Sequence, residues 1–291
     1  MSYPSDTRTT KITLRDGRSL GYAEFGAPTG KPIFLFNGSA SRRFYPFDDG
    51  VDTALGARVI TVERPGIGLS DVKAKRTLLD WPADVQELAD QLGIERFAVG
   101  GGSAGGPYAA ACAYRLPERV TTLALISSLA PFNVPEVTKG MNVTYRILPF
   151  LIRHAPWFLN FAQSLAADRP EMVWKQFYKR LPKCDKAILR AHPNIDLKAL
   201  LVNDMPEIYR QGPQGIVADM AVLTGPWGFS PADIRVKTKI WQGDQDVNVP
   251  PAMAHYLARS IPNAQLAMIP NEGHVMYINH WDEILQFLVR D

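Results

Sequence analysis

The sequence predicts an α/β fold: a mostly parallel sheet with helices on both faces and a helical segment inserted late in the chain. Three observations carry this. Short continuous apolar runs, of the kind needed by strands buried on both faces, alternate with stretches of helical periodicity. One such run, Phe97-Ala98-Val99-Gly100-Gly101-Gly102, meets a serine set among glycines and then a small-residue helix, Pro107–Tyr114. From about residue 132 to 229 the alternation gives way to tryptophans, prolines and helical segments, after which it resumes.

Taken in order, residues 10–26 alternate in strand fashion around Arg15-Asp16-Gly17-Arg18, where Asp-Gly predicts a hairpin turn. Two antiparallel strands therefore open the fold. Pro32–Phe36 and Arg58–Val62 are apolar runs that empty into Asn37-Gly38-Ser39-Ala40-Ser41 and Glu63-Arg64-Pro65-Gly66-Ile67-Gly68-Leu69-Ser70. Helical periodicity over Leu78–Leu92 leads to the Phe97 strand, and Val120–Ser127 is one further strand, which leaves Phe97–Gly102 central in the sheet. Residues 1–131 and 230–291 are expected to form the core domain and 132–229 a helical cap, with helices over Glu171–Leu181 and Ile195–Tyr209. Lys and Arg outnumber Asp and Glu in the cap. Its run from Lys175 to Arg190 reads first as a solvated helix face and second as a lure for an anionic substrate. The core resumes with a strand over Lys239–Gly243, a helix over Ala252–Ser260, a strand over Gln265–Ile269 and an amphipathic helix over Trp281–Val289.

With 46% hydrophobic and 21% charged residues in 291, the chain is expected to be soluble, with one large core and a subdomain. The balance of 32 Lys and Arg against 29 Asp and Glu, a net +3, argues against nucleic acid and for a small-molecule partner. Met1–Arg8 has no apolar leader, and no stretch approaches the roughly 18 apolar residues of a membrane span. The expectation is a cytoplasmic protein with no membrane partner, monomeric or homodimeric. Cys112 and Cys184 have neither metal-ligand spacing nor a disulfide framework, so no metal is expected and both thiols read as structural.

Chemistry concentrates at Gly101-Gly102-Ser103-Ala104-Gly105, which fits G-x-S-x-G. In that turn the serine is strained, its Oγ stands at the C-terminal edge of the sheet, and the Ala104 N–H aims at the same point. Gly100–Gly105 also satisfies G-x-G-x-x-G, but the Lys-Ser/Thr of a phosphate loop is absent. A serine needs a base and a group to orient that base. Of five histidines, only His274 follows a glycine in a loop directly after a predicted core strand; His154, His192, His255 and His280 fall in the cap or in and beside helices. Asp246, three residues after Gly243, is the expected acid, whereas Asp244 sits at the turn itself, where an aspartate usually serves its own backbone. Ser39 N–H is the expected second oxyanion donor, with a side-chain role for Ser39 or Ser41 left open. Arg42 and Arg43 read as structural, or as contacts for a substrate carboxylate. Trp227, Phe229, Val247 and Val275 are pocket candidates that core packing explains equally well.

The order Ser103, Asp246, His274 is nucleophile, acid, base, as in α/β hydrolases and unlike chymotrypsin-like or subtilisin-like enzymes. Together with Asn37-Gly38-Ser39, Arg64–Ser70, Gly243–Pro250 and Gly273-His274, it makes the chain resemble the α/β-hydrolase superfamily over nearly all its length outside the cap. The resemblance is greatest to the capped bacterial esterases, carbon–carbon bond hydrolases and proline iminopeptidases. It implies an eight-stranded sheet with the cap inserted after the sixth strand, and ester hydrolysis through an acyl-enzyme on Ser103 without a cofactor. Asn37 is a departure, since relatives usually carry histidine there. Haloalkane dehalogenases and epoxide hydrolases of this fold place aspartate at the apex, so Ser103 disfavours those activities. The alternatives are carbon–carbon bond cleavage, lyase or aminopeptidase chemistry on the same triad, and a ligand receptor that retains it. Acidic cap residues, which an iminopeptidase needs for a substrate ammonium, are here outnumbered by basic ones.

Overall fold

The computed structural model of the protein describes residues 9–39, 43 and 49–290. Its strands are β1 (Thr9–Thr13), β2 (Ser19–Gly26), β3 (Lys31–Phe36), β4 (Ala57–Val62), β5 (Phe97–Gly102), β6 (Val120–Ile126), β7 (Lys237–Gly243) and β8 (Gln265–Ile269). They form one 8-stranded sheet in the order β1-β2-β4-β3-β5-β6-β7-β8. The β1–β2 hairpin and the β2–β4 pair are antiparallel, and every other neighbouring pair is parallel. A parallel sheet hides both faces, which is why the core strands are continuous apolar runs. In β3 the pleat sends Phe34 and Phe36 to one layer and Ile33 and Leu35 to the other, and all four are buried.

The core helices that precede the insertion are α1 (Asp49–Ala54), α2 (Trp81–Gln91) and α3 (Gly106–Arg115). Between β6 and β7 lie α4 (Val143–Arg146), α5 (Leu148–His154), α6 (Pro156–Ala167), α7 (Pro170–Arg180), α8 (Lys183–Ala191), α9 (Leu197–Ile208) and α10 (Pro213–Thr224), and the chain ends with α11 (Pro251–Ser260) and α12 (Tyr277–Val289). Trp81, Val85 and Leu88 of α2, the alanines of α3, and Met253 and Leu257 of α11 cover one face of the sheet. Val51 of α1 and Trp281, Ile284, Leu285 and Leu288 of α12 cover the other. α12 begins a turn before the expected Trp281 because Ile278 is also buried, extending its apolar stripe backwards. α7 and α9 coincide with the two insertion helices expected. Among the described residues no helix is long and apolar enough to cross a membrane.

Candidate active site

The parallel strands end on one rim, and the loops leaving β3, β5, β7 and β8 carry Ser39, Ser103, Asp246 and His274. Ser103 has φ +52°, in the left-handed region that a residue with a side chain adopts only when its surroundings force it. The force comes from close packing on either side. A Cβ added at Gly101 would lie 2.4 Å from the Gly105 carbonyl oxygen, and one at Gly105 would lie 1.9 Å from that of Phe36. Only glycine at both positions lets α3 begin so near β3, while the Ser103 carbonyl accepts the Leu129 N–H at 3.1 Å. Gly38 faces the serine, since a Cβ there would stand 3.5 Å from Ser103 Cβ.

Asp246 is buried and fully engaged. Its Oδ1 accepts the N–H groups of Asn248 and Val249, each at 2.9 Å, and its Oδ2 accepts the Gln242 amide at 3.3 Å and faces His274 Nδ1 at 2.8 Å. An ionised carboxylate only accepts, so Nδ1 carries the proton in the neutral ring and Nε2 keeps its lone pair. Burial pulls the His274 pKa down, but the Asp246 charge and hydrogen bond, helped by the charge of Asp185, raise it above 6.5. Asp244 serves a different loop: its carboxylate accepts the Asn271 N–H at 2.8 Å, tying the turn after β7 to the turn after β8 rather than to its own backbone.

Ser39, Ser103, His274 and Val275 open onto a cavity of about 540 Å³. Tyr145, Gln163, Arg180 and Met205 of the insertion line its other side. Trp227 and Phe229 are placed elsewhere. They pack on each other at 5.4 Å, and Phe229 stacks on Tyr114 of α3 at 4.6 Å, because the chain has already returned to the core after α10. Val247 is 38% exposed on its loop and does not line the cavity. Arg43 is buried against the carboxylate of Glu63, the structural alternative; Ser41 and Arg42 lie outside the described residues. His192 meets Asn279, His280 meets Glu272 and Glu283, and none of His154, His192, His255 and His280 lines the cavity.

Of the buried carboxylates of the insertion, Asp204 lines the cavity itself, and two others, Asp219 and Asp185, hold the loops of this rim by hydrogen bonds; both of these escaped the sequence reading. Asp219 on α10 accepts Arg64 Nε at 3.0 Å, Arg76 Nη2 at 2.7 Å and the Tyr108 hydroxyl at 2.6 Å. The other edge of Arg64 donates to the carbonyls of Asn37 at 2.6 Å and Gly38 at 2.9 Å. In a trans peptide N–H and C=O point oppositely, so holding the Gly38 carbonyl turns the Ser39 N–H away from Arg64. Asp185, on the first turn of α8, accepts the N–H groups of His274 at 2.9 Å and Val275 at 3.3 Å. The one hint of it in the sequence is Gly273, where a Cβ would lie 2.6 Å from Asp185 Oδ1.

A glycine-flanked serine turn between β5 and α3, with an aspartate after β7 and a histidine after β8, defines a class of protein rather than a single activity. Residues 31–280 match the model of the α/β hydrolase fold family, and the chain belongs to that family. It is 26% identical over 279 residues to Lipase 3 of Moraxella sp. (strain TA144), covering 93% of this chain and 80% of that protein. It is 24% identical over 265 residues to a pimeloyl-[acyl-carrier protein] methyl ester esterase of Legionella pneumophila (strain Corby), covering 87% and 91%. The crystal structure of a hydrolase from Pseudomonas aeruginosa PA01 is similar to it with a TM-score of 0.70 at 20% identity, over 97% of this chain and 98% of that one.

Proposed function

We propose that the protein hydrolyses a carboxylic ester of a small molecule through an acyl-enzyme on Ser103. The observation that carries this is the 2.8 Å contact of Asp246 with His274 Nδ1, where His274 lines a cavity together with a serine at φ +52°. Oγ of Ser103 attacks the ester carbonyl as His274 Nε2 takes its proton, and the oxyanion accepts the Ser39 and Ala104 N–H groups. Collapse breaks the carbon–oxygen bond, and the alcohol leaves with the proton held on Nε2. Water then attacks the acyl-enzyme, giving its proton to Nε2, and the acid departs as Oγ is reprotonated. Asp246 keeps the ring oriented and stabilises its charged form. Residues 132–229 act as a cap over the core of 1–131 and 230–291, placing the ester chain in the largely apolar cavity. The lipase and methyl ester esterase names of the relatives support an ester as the bond cleaved.

A fluorophosphonate probe read by intact-protein mass spectrometry, followed by p-nitrophenyl esters of rising acyl length, tests the proposal. One adduct is expected on the wild type and none on Ser103→Ala, with turnover falling about 10⁶-fold in the variant. Undiminished turnover in Ser103→Ala would overturn the nucleophile, and labelling without turnover of any ester would overturn the reaction. Because the base must be neutral and its pKa is raised, kcat/KM is expected to fall as pH drops through a value above 6.5.

A further inference from the structure

Helices α4 to α6 have two faces. Tyr145, Leu148 and Gln163 line the cavity, while Val143, Ile147, Phe150, Trp157, Phe158 and Phe161 are exposed. Trp157 is 71% exposed, and Phe150 and Phe161 are each 64% exposed, in a protein whose other large apolar side chains are mostly covered. Single exposed leucines or phenylalanines are ordinary; a run of aromatic residues on adjoining helices is not. Trp157 and Phe161 are four apart on α6 and share one of its faces, and Trp157 meets Phe158 edge to face at 6.1 Å.

Along the chain, the charge across these helices has one sign. No Asp or Glu occurs between Glu136 and Asp168, whereas Lys139, Arg146 and Arg153 fall in that span and are exposed. Among the described residues none of these three cations forms an ion pair. We propose that the α4–α6 face docks on an anionic lipid bilayer, its aromatic rings entering the headgroup region and Arg146 and Arg153 meeting lipid phosphates. Aromatic side chains flanked by cations are what that region rewards, because rings are apolar bodies for the interface and guanidinium groups pair with phosphate. A second copy of the chain suits the face less well. Two-fold pairing would bring two copies of this cationic segment, which carries no Asp or Glu, against each other. The proposal departs from the expectation of no membrane partner, which rested on the lack of a spanning segment; a face that lies on the bilayer needs none. It stands independently of the role of Ser103.

The test is co-sedimentation of the full chain with phosphatidylcholine vesicles, with and without phosphatidylglycerol, at low and high salt. Binding is expected only to the anionic vesicles, weakening with salt, and falling about fivefold for each of Arg146→Glu and Arg153→Glu. The double variant Trp157→Ser/Phe161→Ser is expected to lose binding while keeping the wild-type melting temperature, since both residues are exposed. Brominated acyl chains should quench wild-type tryptophan fluorescence and quench Trp157→Phe much less, although that variant still binds. Absence of binding to phosphatidylglycerol vesicles at low salt, or binding that the double serine variant leaves intact, would overturn the proposal. So would a wild-type dimer, seen by sedimentation velocity, that the double variant converts to monomer.

Discussion

Asp219 and Asp185 both leave the helical insertion to touch loops at the sheet edge, yet one meets cations and the other meets backbone. Asp219 is pulled up by burial and down further by Arg64 and Arg76, so its pKa lies below the ordinary 3.8. Asp185 is also pulled up by burial, and the N–H groups of His274 and Val275 and the nearby ring do not reverse it, so its pKa lies above 3.8. The two groups therefore bear oppositely on folding. Asp219 contributes stability that is present above 3.8 and lost as pH falls through its depressed value. Asp185 contributes stability that is full below 3.8 and lost as pH rises through its raised value. A buried carboxylate beside arginines is a fixed anchor, whereas one held by dipoles is a clasp that protonation favours.

The comparison breaks most readily at Asp219→Ala, which leaves Arg64 and Arg76 buried without their counter-charge. A loss of about 3–5 kcal/mol is expected, read as a lower urea midpoint at unchanged m-value. Asp185→Ala orphans two N–H groups and no charge, so about 1–3 kcal/mol is expected from the same titration. Equal losses would end the distinction. Tyr108→Phe takes one donor from Asp219 and the acceptor of Arg76 Nη1 but leaves both arginines beside the carboxylate, which should cost about 1–3 kcal/mol. The subtlest effect is that of Asp185→Asn, which removes a charge that helps raise the His274 pKa. Its acid limb of kcat/KM is expected at lower pH than in the wild type, and its stability deficit should shrink as pH rises above 3.8. An unmoved limb would show that Asp185 acts on the loop backbone alone.

The parts legible in the sequence were those written locally. β3 to β8 each carry their own apolar run, the Ser103 turn carries its own glycines, and His274 is marked by the glycine before it. The two carboxylates were illegible because each joins distant segments: Arg64 and Asp219 are 155 positions apart, His274 and Asp185 are 89 apart. In a stretch dominated by Lys and Arg, Asp185 looks like one more surface charge. Trp227 and Phe229 were left between pocket and core for the converse reason. Their place at the end of the insertion suggested a pocket wall, but Tyr114 offered a better partner in the core. The cavity side chains of α4 to α6 also escaped, since helical period alone does not tell which face meets a hollow and which meets solvent.

The reach of Arg64 bears on how such a protein can be recombined. One guanidinium touches the insertion at one end and the peptide before Ser39 at the other. A foreign insert spliced between β6 and β7 would arrive without the acid that this arginine expects, and the shape of the loop after β3 would suffer before any substrate was met. The transplantable unit is thus larger than the segment that topology marks out: it is α10 with Asp219, carried together with Arg64, Arg76 and Tyr108 of the recipient core.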